Sequence, residues 1–361
     1  MANMLDYIAW RGDLSLRKDG WNDVDALIMA NYCYNDLKGA IGQPLQALRG
    51  RVADAPADNA LAQEHVSLLR AMTESRRFGA LRVCDEVNTV DAEAGMQFSA
   101  ATADAPDGLR IVSFRGTDGT LVGWRENFNM AYESPVPAQV AALEYLQRIA
   151  DKGGGPLLLT GHSKGGNLAL YAAAHADEAI RRRVVAVYSF DGPGLDEDSM
   201  KSAGYEDIAA RVRSFVPQSS VIGMLLSYHP DYIVVHSQAS GLQQHNAYSW
   251  QVQGPRFITD ESTDWGSQVI DQTLRNWLKA CTPAQRQRFV DTIFDVLKNT
   301  NAESLGDLKK NVMGSASAII DGARQLDGET QRSFYALLGK FVIAGAGSLR
   351  DSLLRQDKDQ K

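Results

Sequence analysis

A largely parallel β-sheet covered by helices on both faces, followed by a helical extension, is the fold class that the sequence predicts. Three observations predict it. Short apolar runs at 109–114, 156–160, 184–190 and 212–216 read as buried strands. Helical periodicity at 138–151 and 164–174 falls between them, and strands that alternate with helices pair in parallel. From about residue 260 onward the strand signals fade.

The elements follow in order. Asn22 or Asp23 caps a helix that continues to Tyr32. Leu61, His65, Leu68, Leu69 and Met72 recur at helical spacing, so 50–76 reads as helical. Alternating and β-branched residues run from Leu81 to Asn88, Met96 to Ala103 alternates, and Leu109 to Phe114 is almost continuously apolar. Asp107-Gly108 between the last two is a hairpin turn. A loop is expected at 116–135, and Tyr232 to Ser237 is a further strand. Thr282-Pro283 reads as an N-cap with proline at the first helical position, leading into an apolar stripe of Phe289, Val290, Ile293, Phe294 and Leu297. Helical stretches at 303–325 and 329–355 complete the chain.

Bulk properties exclude several function classes. The net charge is -7, and Arg181, Arg182 and Arg183 form the one basic run, which reads as a solvated helix end. A nucleic-acid partner is therefore disfavoured, since phosphate neutralisation needs a concentrated basic surface. Cys33, Cys84 and Cys281 lie far apart, which points to reduced thiols and no metal-ligand spacing. Residues 1–6 lack a basic segment followed by an apolar one, and the longest apolar stretch, 341–349, is far short of the roughly 18–20 residues that cross a bilayer. A cytoplasmic location without a transmembrane segment is expected, and oligomeric state is not legible.

Chemistry concentrates at Leu157-Leu158-Leu159-Thr160-Gly161-His162-Ser163-Lys164-Gly165-Gly166-Asn167. The Gly-x-Ser-x-Gly pattern, preceded by an apolar strand and followed by a small-residue helix, is a nucleophile elbow of the α/β-hydrolase type. The serine sits on a tight turn where helix and strand nearly touch, so only small residues fit at 161 and 165. His162 reads as structural, and Lys164 as a solvated neighbour on an exposed turn. Acyl transfer also needs two N–H donors for the oxyanion, one from the residue after the nucleophile and one from a loop after an earlier strand. Lys164 and Thr117, in Phe114-Arg115-Gly116-Thr117, occupy those positions.

Phe114-Arg115-Gly116-Thr117 with Trp124, followed by Gly161-His162-Ser163-x-Gly165-Gly166, resembles the class 3 (fungal-type) lipases over roughly 80–250. More closely, the chain resembles a bacterial family of unknown function grouped with the α/β-hydrolases. Asp6-Tyr7 through Asp25-Ala26-Leu27, Phe190-Asp191-Gly192-Pro193-Gly194, the stretch from Val216 to Leu225, and Gln244-His245-Asn246 through Trp250 carry that likeness over about 1–260 or more. It implies an α/β-hydrolase catalytic domain at 1–260, with 1–78 as its helical N-terminal part, and a helical extension at 261–361.

In the order serine, acid, histidine, the base follows Ser163. His245 lies in a polar loop after the last strand, where the lipase resemblance also places the base; His229 and His236 remain alternatives, while His175 is too local. The lipases' aspartate follows the strand at 212–216, but Val216-Pro217-Gln218-Ser219-Ser220 holds no carboxylate. Asp191, directly after the 184–190 strand, fills the gap, with Asp231 in reserve. The expected function is serine-dependent hydrolysis of a small-molecule acyl substrate, lipid-like or short-chain on resemblance alone, with no cofactor and no metal. The rivals are a catalytically weak scaffold that binds a ligand or protein, and a membrane-surface lipase.

Overall fold

In a computed structural model, residues 2–264 are described apart from 57, 118–120, 131, 132, 221, 224, 225 and 227–230, together with scattered positions between 269 and 332. The helix expected at 303–325, and all of the one expected at 329–355 except Arg332, lie outside the described residues.

Three helices precede the sheet: α1 (Met4–Arg11), α2 (Asp23–Tyr32) and α3 (Ala60–Glu74). Asn22 caps α2 in a capping box with Asp25, as the sequence predicts. The apolar residues of α2 surround it, and Val24 to Tyr32 are all buried, so it is a core helix rather than a surface one. Its carbonyl at Ala26 accepts from Thr160 Oγ1 at 2.9 Å, which seats it on the sheet. The helix expected across 50–76 is shorter: the described residues of 50–59, Pro56 among them, are not helical, and Asn59 caps α3.

The strands are β1 (Arg82–Asp91), β2 (Met96–Asp104) and β3 (Arg110–Phe114), then β4 (Leu157–His162). Between β3 and β4 lie α4 (Leu121–Asn129) and α5 (Pro137–Asp151). α4 corrects the expected loop at 116–135. Next come α6 (Lys164–His175), α7 (Glu178–Arg181), β5 (Val184–Phe190), α8 (Glu197–Met200), α9 (Ala203–Ile208), β6 (Val212–Pro217) and β7 (Tyr232–Val235). A small hairpin, β8 (Val252–Gln253) and β9 (Arg256–Phe257), leads to β10 (Thr259–Asp260).

The main sheet has the order β1-β2-β3-β4-β5-β6-β7-β10. β2 and β3 are antiparallel across a turn in which Gly108 takes φ 90°; β3 to β7 are parallel, and β10 returns antiparallel. The register pairs Phe114 with Gly161, His162 with Phe190, and Phe190 with Phe215. Residues just after β3, β4, β5 and β6 therefore share one edge. Tyr188, Phe190, Phe215, Trp250 and Phe257 pack ring on ring across the sheet near that edge.

The chain divides into two compact units. One comprises 1–89, 98–116 and 138–263; the other comprises 90–97, 117–137 and 264–361. In the second, Thr282 caps a helix as predicted, with Gln285 N–H donating to its Oγ1 and Gln285 Oε1 accepting from its N–H.

Candidate active site

Ser163 stands alone between the end of β4 and the start of α6. Its backbone adopts φ 57° and ψ -133°, a region that holds a non-glycine residue at a cost of about 1–3 kcal/mol. Ser163 N–H donates to Phe190 O at 2.9 Å, and Gly166 N–H to Ser163 O at 2.8 Å. A Cβ on Gly161 would come within 2.1 Å of the Gly165 main chain, and one on Gly165 within 2.0 Å of Phe114 O. Helix and strands thus meet backbone to backbone beneath the serine, which is why the motif needs its glycines.

β5 ends one residue before Asp191, which has φ 47° and is 1% exposed. Its Oδ1 accepts from Ser220 Oγ at 2.5 Å and Gly223 N–H at 3.1 Å. Its Oδ2 lies 2.6 Å from His245 Nδ1. An ionised carboxylate only accepts, so this contact selects the tautomer protonated on Nδ1 and leaves Nε2 as the basic nitrogen. No hydrogen bond joins Ser163 Oγ to His245 Nε2 among the described residues; in unliganded sites that contact is often long and tightens with substrate.

The loop bearing His245 is braced from several sides. Trp250 Nε1–H donates to Gln244 O at 2.8 Å, and Gln244 Oε1 accepts from Ser219 N–H at 2.7 Å. From α3, Glu64 accepts from Asn246 Nδ2 at 3.0 Å, and His65 Nδ1 meets Tyr248 Oη at 2.8 Å. Burial lowers His65 to about 4. The N-terminal helical part therefore supports the loop that carries the candidate base.

Other residues singled out in the sequence fall as follows. Lys164 opens α6 but is 1% exposed, and His162 is buried as well, so the exposed turn expected there is corrected. The cause is that α6 is buried along its length from Lys164 to Ala174. Gly116 N–H donates to Tyr34 Oη at 3.0 Å, and a Cβ on Gly116 would lie 3.1 Å from Ser163 Cβ. Thr117 belongs to the other unit, where its Oγ1 accepts from Asn127 Nδ2 at 2.6 Å. His236 engages Asp260 and Gln218, and His175 engages Ser199. Asp231 is exposed, and His229 lies outside the described residues. Sequence reasoning missed Ser220, although it stands in the very stretch where the lipases carry their acid. Among the described residues no cluster of three or more His, Cys, Asp or Glu side chains is placed to hold a metal ion, and no helix is long and apolar enough to cross a membrane.

A mostly parallel sheet with a strained serine just after β4, a buried aspartate just after β5 and an aspartate-bound histidine in the chain beyond β7, in that order, defines an α/β-hydrolase fold. The chain belongs to the Mbeg1-like family, whose model matches residues 72–295. Among solved structures it is similar to the M37 lipase, at 12% identity and TM-score 0.36, covering 55% of this chain and 68% of that one. A fungal lipase–inhibitor complex matches at 13% and 0.37 over 64% and 78%. The triacylglycerol lipase from Penicillium expansum matches at 10% and 0.34 over 66% and 90%. These likenesses concern the fold alone. A comparison with curated protein sequences gives no match.

Proposed function

We propose that this chain is a serine hydrolase acting on carboxylic esters. Ser163 Oγ attacks the acyl carbonyl carbon while its proton passes to His245 Nε2; Asp191 holds Nδ1–H and offsets the imidazolium charge. The N–H of Lys164, the residue after the nucleophile, receives the oxyanion. Collapse of the tetrahedral intermediate expels the alcohol, which takes the proton from His245, and water then releases the acid by the reverse sequence. No cofactor enters these steps. The observation that carries this reading is the 2.6 Å contact between Asp191 and His245 at the sheet edge that also presents Ser163.

The substrate is a small acyl compound with a lipid-like or short-chain ester, and the enzyme works in the cytoplasm. A second reading, a ligand-binding scaffold, is motivated by the lack of a carboxylate in Val216-Pro217-Gln218-Ser219-Ser220. Hydrolysis of p-nitrophenyl esters of graded acyl length separates the two. The enzyme reading expects turnover that falls by about 10³-fold or more in Ser163→Ala. Equal rates in wild type and variant would leave the scaffold.

A further inference from the structure

We infer that His162, the residue before the nucleophile, is a positioning residue for the general base, an inference that rests on the serine-hydrolase reading above. His162 Nε2 lies 2.8 Å from the main-chain oxygen of His245. A carbonyl oxygen only accepts, so Nε2 carries the ring proton and Nδ1 does not. The two rings lie face near face, with centroids 4.7 Å apart at 33°. Trp250 also lies edge-on to His162, at 6.4 Å.

His245 is therefore held at both ends. Asp191 fixes the rotation of its ring through Nδ1, and His162 fixes the backbone from which the side chain departs. Neither restraint alone sets the direction of Nε2; together they do. The second restraint comes from the residue adjoining Ser163, so nucleophile and base are registered against one another through a single peptide unit. Burial, and then the neighbouring His245 ring, pushes His162 down to about 3. A neutral ring at this place can lie against His245 while that residue takes up a proton; a cation would oppose it.

Two amides of different reach make the test. In His162→Gln the side-chain amide nitrogen replaces Nε2 and can still donate to the His245 oxygen; in His162→Asn it falls near Nδ1 and cannot. Active sites are counted by fluorophosphonate labelling, and ester hydrolysis is expressed per labelled site. For Asn we expect kcat to fall by about 10- to 100-fold, as for an Å-scale misplacement of a catalytic group, with KM changed less than about threefold. For Gln we expect kcat within about threefold of wild type. Equal kcat in the two variants, or a loss confined to KM, overturns the assignment, because a space-filling role does not distinguish the amides in this way. If wild type takes no label at all, the hydrolase reading fails first and this one falls with it.

Discussion

Replacing Asp191 by asparagine makes the most demanding use of the geometry. Asp191 Oδ1 accepts from Ser220 Oγ and Gly223 N–H, and Oδ2 faces His245 Nδ1. An asparagine in that seat must turn its own oxygen toward the two donors, since its NH₂ group cannot accept from them. Its NH₂ then points at Nδ1, which can be satisfied only as an acceptor. The imidazole proton is driven to Nε2, the atom that has to receive the serine proton. The side chain has nearly the same shape, so the fold survives while the base is disabled by its tautomer. A loss of about 10⁴-fold in kcat is expected, with the melting temperature nearly unchanged. Steady-state ester hydrolysis and a thermal melt of the same preparation measure the two quantities. Activity within tenfold of wild type would refute the assignment of Asp191 as the acid.

Further outcomes follow from burial and crowding. Below 6.5 an unfolded histidine binds a proton, whereas the fold keeps His162 and His65 neutral down to about 3 and about 4. Their contribution is complete above 6.5 and is lost as pH falls through that window, by about 1.4 kcal/mol per pH unit for each. The urea midpoint should therefore drop between pH 8 and 4.5, and His162→Gln should make that dependence shallower; an unaltered slope would contradict it. In Gly165→Ala the added Cβ meets Phe114 O at 2.0 Å, a main-chain atom that cannot swing away. A loss of at least about 3 kcal/mol is expected, read as poor soluble yield and a depressed melt, and a wild-type melting temperature would refute it.

Much of the sheet was legible because its strands are buried on both faces and therefore read as unbroken apolar runs; β5 has the same bounds in both accounts. The elbow was legible because its glycines answer to backbone contact, a constraint that composition cannot satisfy by chance neighbours. The helix at 121–129 was not, since nine residues interrupted by Gly123 carry little periodicity. Nor were β8, β9 and β10, each only two residues long, and β10 pairs with β7 from more than twenty residues away. The burial of Lys164 was missed because its polarity argues for solvent, whereas tertiary packing around α6 decides otherwise. Ser220 was invisible for another reason: its part is to hold a carboxylate from the neighbouring strand, a partnership that only the parallel register of β5 and β6 reveals.

The central claim is that the Ser163 hydroxyl is a nucleophile made reactive by its neighbours. Incubating the protein with an alkyl fluorophosphonate and mapping the adduct by peptide mass tests it most directly. One adduct per chain, carried on Ser163 and abolished in Ser163→Ala, is the result expected; a folded protein that takes no adduct, or takes it on another residue, would contradict the account.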